Sequence, residues 1–384
     1  MDLFSLSFLA SILMALVAGD AVINSNTMSV SVGLPPAIQQ TGLTRTAAEE
    51  IFITEIANIT SLPSPVNVPT PRVATRRTII GAIAEPLKLT DMTAALQDLF
   101  RLDPVRVSAT MLQTYNGLRM EVIITQGGRN FRPLQFSRPD ADAAALVRSS
   151  AIGSISAISP YRYALFRLHG YLNGFESDRA QVRTAIDNAL TANWTAGNPL
   201  ERSALFNISA ILSVLDGDIS RAQREVEITQ SVIASTPSMV TGPSVMTGVS
   251  MNAAFISIIS GNLEEARAHI ERAVSSSGRT IPIQGFGSYL QMQRGLIAWA
   301  EGDLENAFTV MQASHASDPS NRNAKVYVAW LRHLRSGATG PFDPLGMSDQ
   351  VARYDVVPQL MSSAFLLNPR SREILRAPTG MDRH

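Results

Sequence analysis

Histidine is the first residue type to examine for chemistry, because the chain contains no cysteine. The five histidines are His169, His269, His315, His333 and His384. No two of them have the i, i+4 spacing that places two metal ligands on one helix face, and no acidic residue completes a metal-binding pattern with them. The Asp216-Gly217-Asp218 triplet lacks the remaining oxygen ligands of a calcium loop. The sequence therefore predicts a non-enzymatic protein with no metal and no cofactor.

The composition excludes further classes of site and partner. Without cysteine there can be no disulfide, thiolate zinc site or cysteine nucleophile. The 32 basic residues balance the 32 acidic ones, so there is no general electrostatic case for binding nucleic acid. Hydrophobic residues make up 45% of the 384 residues and charged residues only 17%, so we expect most of the chain to fold around a substantial core.

The first 26 residues read as an apolar anchor or signal segment. Residues 3–17 are uncharged and mostly apolar, which favours a single-pass membrane helix over residues 3–23, slightly shorter than the roughly 20 apolar residues such a helix needs. A cleaved signal peptide and a buried core helix are the alternatives, and the absence of a basic residue near the start argues against the signal peptide. We expect a protein of the bacterial inner membrane with its bulk in the periplasm.

Residues 27–136 are predicted to form a small α+β domain. Residues 106–115 and 118–125 alternate apolar and polar side chains around Asn116-Gly117, which favours a two-residue hairpin turn. Thr44 suits the N-cap of a helix that ends near residue 59. With strands predicted at 28–32 and 78–83 and a helix at 90–100, the order is β-α-β-α-β-β, which is typical of a small sheet with helices on one face.

Residues 252–319 contain two stretches that match at a fixed offset. The matching pairs, each 41 residues apart, are Ala254 and Gly295, Gly261 and Gly302, Ala266 and Ala307, and Ala273 and Ser314. A third copy, running from Ala210 to Ala222, lies 44 residues before its counterpart. Small residues allow two helices to touch, and a glycine followed by Asn or Asp is typical of the turn between them. Residues 137–375 are therefore predicted to be repeated helical hairpins, with 376–384 as a tail.

This pattern resembles the tetratricopeptide repeat. The fragments that carry the resemblance are Gly261-Asn-Leu-Glu-Glu-Ala266 and Gly302-Asp-Leu-Glu-Asn-Ala307. The offsets of 41 and 44 exceed the family's spacing of about 34 residues, and Ser314 stands where the family has alanine. The resemblance implies a mainly α protein whose hairpins stack into an α-solenoid with a concave binding face.

The first helix of each hairpin is expected to line this concave face. The candidate partner-binding residues on it are Asn207, Met251, Tyr289, Met292 and Trp299. An alternative interpretation is that the aromatic and leucine positions nearby, Phe255, Leu296 and Trp299, are packing between repeats. The Thr-, Ser- and Gly-rich stretch 236–250 is interpreted as a long loop between hairpins, or as a flap beside the groove.

Two functions fit these features. The first is a non-enzymatic scaffold, tethered to the membrane by residues 3–23, that binds a protein or peptide partner on its helical repeats. The alternative is an accessory structural subunit of a larger membrane complex, in which the small and hydroxyl residues of the apolar segment permit close approach of other membrane helices.

Overall fold

The computed structural model describes residues 27–62, 72–73, 105–126, 129–130, 133–140, 142–172, 178–191, 199–236, 243–277, 286–336, 361–362, 364–366 and 368–375. The predicted N-terminal anchor, the strand at 78–83 and the helix at 90–100 lie outside these residues. The chain divides into two compact units. The first takes in the described residues from Thr27 to Ser61 and from Arg72 to Tyr163, and the second takes in Leu62 and those from Ala164 to Leu375.

The first unit combines a mixed sheet with helices, in agreement with the predicted α+β class. Its strands are β1 (Thr27–Gly33), β2 (Arg72–Val73), β3 (Val105–Thr114), β4 (Gly117–Gln126), β5 (Arg129–Asn130) and β6 (Leu134–Arg138). Its helices are α1 (Pro36–Gln40), α2 (Arg45–Thr60) and α3 (Ala143–Ile158). The sheet order is β2-β1-β3-β4-β5, and β6 also pairs with β4. β1 runs parallel to β2 and β3, whereas β4 runs antiparallel to β3, β5 and β6.

The helices of this unit cover the face of the sheet on which alternate side chains are buried. Every second residue of β3 from Val105 to Met111 is buried, as is every second residue of β4 from Leu118 to Ile124. The Thr44 side chain accepts a hydrogen bond from the backbone N–H of Ala47, which confirms the predicted N-cap of α2. α3 packs against α2, β4 and β6. Packing therefore carries the first unit to Tyr163, beyond the boundary at residue 136 expected from the sequence.

The hairpin between β3 and β4 is present, with its turn one residue earlier than predicted. Thr114 pairs with Gly117, so the two loop residues are Tyr115 and Asn116. Gly117 has φ of +114°, a conformation that side chains with a Cβ rarely adopt. A Cβ at Gly117 would also lie 2.3 Å from the backbone oxygen of Arg138 and 2.9 Å from the Cα of Pro139. Glycine is required here by conformation and by the close approach of the end of β6.

The second unit is helical throughout its described residues. Its helices are α4 (Pro160–Leu172), α5 (Arg179–Thr191), α6 (Pro199–Asp216), α7 (Ile219–Ala234), α8 (Pro243–Ser260), α9 (Leu263–Ser277), α10 (Phe286–Ala300), α11 (Leu304–Ser317), α12 (Arg322–Arg335) and α13 (Pro369–Ile374), with the division between the units falling inside α4. The chain within 236–250 was expected to be a loop, and this is wrong from Pro243 onwards, where α8 begins. Thr247, Val249 and Ser250 are buried there, so tertiary packing outweighs their weak helix propensity.

Three helical hairpins, α6–α7, α8–α9 and α10–α11, have the same turn. Their glycines, Gly217, Gly261 and Gly302, have φ of +80°, +80° and +86°. In each turn the glycine N–H donates to the carbonyl three residues back, and the next N–H donates to the carbonyl five residues before it. This is the Schellman arrangement, which satisfies the last carbonyls of the first helix. Asp218 and Asp303 then cap the second helix through their carboxylates. The predicted hairpin turns are confirmed.

The small residues lie where the two helices of a hairpin meet. Ala210, Ala222, Ala254, Ala266 and Ala307 are fully buried. A Cβ on Gly295 would lie 3.1 Å from Cε of Met311 and 3.4 Å from the carbonyl oxygen of Ala307, so α10 and α11 approach closely at this point. Consecutive hairpins contact one another as well, through α7 with α8 and α9 with α10.

Within the part of the chain that the structure describes, no helix is long and apolar enough to cross a bilayer. The predicted membrane helix at residues 3–23 lies outside that part.

The substitution Gly117→Ala is expected to lower the free energy of unfolding by about 3 kcal/mol, since left-handed strain adds to overpacking against the backbone of Arg138 and Pro139. The matched control is Gly42→Ala in the same unit. Gly42 has φ of +100° and nothing within 4 Å of an added Cβ, so only strain of about 1 kcal/mol is expected. Urea unfolding measures both, and equal losses would show that the contact at Gly117 is relieved without cost.

Candidate partner-binding face

The first helices of the hairpins form a layer, which we call the first-helix layer: α6, α8, α10 and α12. Its members are joined by buried polar bonds and aromatic contacts. Nδ2 of Asn252 on α8 donates to Oδ1 of Asn207 on α6 at 2.8 Å. Nε2 of Gln293 on α10 donates to the Met251 carbonyl of α8 at 2.6 Å. The ring of Trp299 on α10 contacts that of Trp330 on α12, with centroids 5.0 Å apart.

All five predicted partner-binding residues belong to this layer. Asn207 lies on α6, Met251 on α8, and Tyr289, Met292 and Trp299 on α10. The structure brings them together on adjoining helices, but each side chain is only 0% to 3% exposed. Phe255 and Leu296 are equally buried. None of these side chains is accessible to a partner in this structure, and what covers the layer becomes the relevant question.

A segment from near the end of the sequence lies on the layer. We call the described residues of 361–375 the docked segment; residues 361–362, 364–366 and α13 in it are helical. Met361, Phe365 and Leu375 in it are fully buried. The segment reaches all four helices of the layer through three of its side chains, although 24 residues separate it from the described part of the chain that ends at Ser336.

Three side chains of the docked segment make these contacts. The Ser362 hydroxyl accepts a hydrogen bond from Nδ2 of Asn323 on α12 at 2.9 Å and lies 3.8 Å from Sδ of Met292 on α10. The Phe365 ring is tilted against that of Phe255 on α8, with centroids 5.5 Å apart. Nδ2 of Asn368 donates to the Val214 carbonyl of α6 at 2.5 Å.

These three contacts recur every third residue, at 362, 365 and 368. Residues three apart lie on one side of a helical turn, so they form a single contact edge with a hydroxyl, an aromatic ring and an amide in order. The layer supplies matching groups: an amide donor, a ring and a thioether, and a backbone carbonyl acceptor. Such an arrangement is a recognition surface for a helical peptide rather than a reaction centre.

A second buried amide reinforces the layer at the start of α12. Nδ2 of Asn321 donates to Oγ of Ser288 at 2.8 Å, while Ser288 and Ser314 bond each other's carbonyl oxygens at 2.9 and 2.8 Å. Ser314 departs from the alanine of the repeat family, and this reciprocal pair between α10 and α11 is its physical reason. The backbone carbonyls involved are satisfied in a place that water does not reach.

A cluster of charges joins α5 to the first hairpin. Oε1 of Glu225 on α7 accepts from Oγ of Ser209 at 2.6 Å, and Oε2 accepts from Oγ of Ser213 at 2.7 Å. Arg183 on α5 donates to both serines and to Asp216 at 2.7 Å. Since the serine hydroxyls donate to the carboxylate, and the cluster ties three helices together, we interpret it as structural.

Chemistry for metal binding is not found in the described part of the chain, where no group of three or more His, Asp or Glu side chains could hold an ion. Comparisons of the chain with protein-family profiles, with curated proteins and with solved structures find no match. The interpretation of the first-helix layer therefore depends on its own contacts.

Sequence reasoning missed the residues that complete this site. Asn323, Ser362, Phe365 and Asn368 were not among the predicted binding residues, although a terminal helix was expected at 357–367. Their partners lie 70 residues or more away in sequence for Met292 and Ser362, and 154 for Val214 and Asn368. No local pattern in a single sequence signals pairing over such separations.

The substitution Glu225→Ala is expected to lower the free energy of unfolding by about 3 kcal/mol, because it removes the acceptor of two buried hydroxyls and one partner of Arg221. Asp216 still pairs with Arg183, which keeps the loss at the lower end for a buried ion pair. Glu227→Ala, at an exposed position on the same helix, is the control and should change stability by less than about 0.5 kcal/mol. Equal values for the two variants in urea unfolding would contradict the assignment.

His269 on α9 makes stability depend on pH. Burial lowers its pKa, the guanidinium of Arg272 beside it lowers the pKa further, and Glu265 opposes both. The unfolded chain then binds the proton more tightly than the folded one, so stability falls as the pH drops below about 6.5. The chain should lose more unfolding free energy between pH 7.5 and 5.5 than the variant His269→Gln does. Parallel losses in guanidinium unfolding would show that His269 does not contribute.

Proposed function

We propose that this protein is a non-enzymatic protein-binding scaffold whose first-helix layer binds a helical segment of a partner protein. The observation that supports the proposal is the docked segment: a short helical stretch, remote in sequence, already held on all four helices of the layer. The groups that hold it are side chains and one carbonyl in fixed positions, which suits recognition of a peptide by its side-chain pattern.

The cellular setting belongs to the same proposal. Residues 3–23 would tether the scaffold to the bacterial inner membrane with the two compact units in the periplasm, and no nucleic acid or cofactor would take part. The apolar composition of residues 3–17 and the balanced charge of the chain support this setting.

Photo-crosslinking from matched phenylalanine positions tests the proposal. Benzoylphenylalanine is placed at Phe206 on α6, at Phe286 on α10 or at Phe308 on α11, all of them half-buried. Phe206 adjoins Asn207, and Phe286 lies six residues before Met292, which is about 9 Å along the helix. Because only the first two belong to the layer, irradiated cells should give the same partner adduct from Phe206 and Phe286 and none from Phe308. Thermal unfolding of each purified variant checks that it is folded.

The same experiment separates the proposal from the role of an accessory membrane subunit. A structural subunit would form adducts from benzoylphenylalanine at Phe8, within the apolar segment, and none from the layer. Adducts that form equally from Phe308, or no adduct from either layer position, would overturn the proposed binding face.

A further inference from the structure

The connection that leads to the docked segment is unusually long for neighbouring helices. Residues 337–360 comprise 24 residues, whereas the connections between hairpins number eight residues in 235–242 and in 278–285. Helix-to-helix connections in bundles are usually about two to eight residues. The segment thus reaches the layer on a tether with ample length to leave it and return.

The layer is held together without the docked segment. The bond from Asn252 to Asn207, the bond from Gln293 to the Met251 carbonyl and the contact of Trp299 with Trp330 all join one layer helix to the next. No atom of the docked segment takes part in them. Removal of the segment would break its own contacts and leave these bonds in place.

Removal would also uncover apolar and polar groups that need a new partner. Phe255 and Met292 would face water, and Asn323 and the Val214 carbonyl would lose their bonds. An exposed apolar patch of this kind marks a binding site in a soluble protein. Its best occupant is a segment that offers the same three groups at the same spacing.

We infer that the docked segment is an intramolecular ligand of the first-helix layer, and that a partner helix with a hydroxyl, an aromatic ring and an amide at every third position displaces it. This inference rests on the proposed protein-binding function and adds the regulation of the site and the chemistry of its partner. The pattern in this chain is Ser362, Phe365 and Asn368.

Tethering sets the strength of the block. A flexible tether presents its ligand at an effective concentration on the order of 1 mM. A free peptide that binds the empty layer with a dissociation constant of about 10 μM would then bind the intact chain about 100-fold more weakly, because the layer is open only about 1% of the time.

The test uses a fluorescein-labelled peptide of residues 359–376 and the full chain, with binding measured by fluorescence anisotropy. The released variant carries Phe365→Ala and Asn368→Ala, which remove the ring contact and the bond to the Val214 carbonyl. The control carries Arg370→Ala and Glu373→Ala, at exposed positions of the same segment. We expect the peptide to bind the released variant about 100-fold more tightly than either the unchanged chain or the control.

Equal affinity for all three proteins, or no binding to the released variant while its circular dichroism and thermal transition remain those of the unchanged chain, would overturn the inference. Elution of the unchanged chain as a dimer that exchanges segments between copies would overturn docking within one chain.

A second measurement covers the case in which the released variant fails to fold. A protease site is inserted between residues 340 and 350 of the otherwise unchanged chain, and the folded protein is cut. An intramolecular ligand should separate on gel filtration at submicromolar concentration and leave a layer that binds the labelled peptide. A fragment that stays bound, or a chain that unfolds when cut, would identify a permanent structural cap and overturn the inference. Adducts from Phe206 and Phe286 would leave the proposed function standing in that event.

Discussion

The second unit depends on one local constraint, the left-handed glycine that ends the first helix of each hairpin. At φ near +80° the backbone of Gly217, Gly261 and Gly302 turns back at once and satisfies its own carbonyls. The next residue can then cap the second helix. Because the turn is this short, the helices emerge side by side, and only small residues such as Ala254 and Gly295 fit between them. The first-helix layer follows from the repetition of this geometry.

The features that could be predicted were those encoded by neighbours in sequence. The recurring glycine, the small residues and the alternating strands of β3 and β4 depend on local conformation, which one sequence reveals. The turn at Gly117 was placed one residue late because positive φ can occupy either side of a two-residue loop. The offset of 41 and 44 residues was visible, but its cause, a helix α8 three residues longer than α10, was not.

The burial of the layer could not be predicted, since it depends on contacts over long separations. Met292 and Met251 have the chemistry of adaptable binding residues, and a surface position was a reasonable expectation for them. Their exposure is decided by Ser362, Phe365 and Asn368, whose approach no periodicity encodes. Buried amides carry the same lesson. Asn207 was considered for a partner, and its bond is to Asn252, where it aligns two neighbouring hairpins and leaves neither amide unpaired.

The position of the docked segment in the sequence has a consequence during synthesis. The ribosome completes α6 well before it reaches Asn368, which contacts Val214 of that helix 154 residues later. At about 5–20 residues per second this interval is roughly 8–30 s. The nascent hairpins fold with Phe255 and Met292 still uncovered, so the growing chain exposes a sticky face to chaperones and to other nascent chains for that time. A partner translated nearby would meet the face before its own tail does.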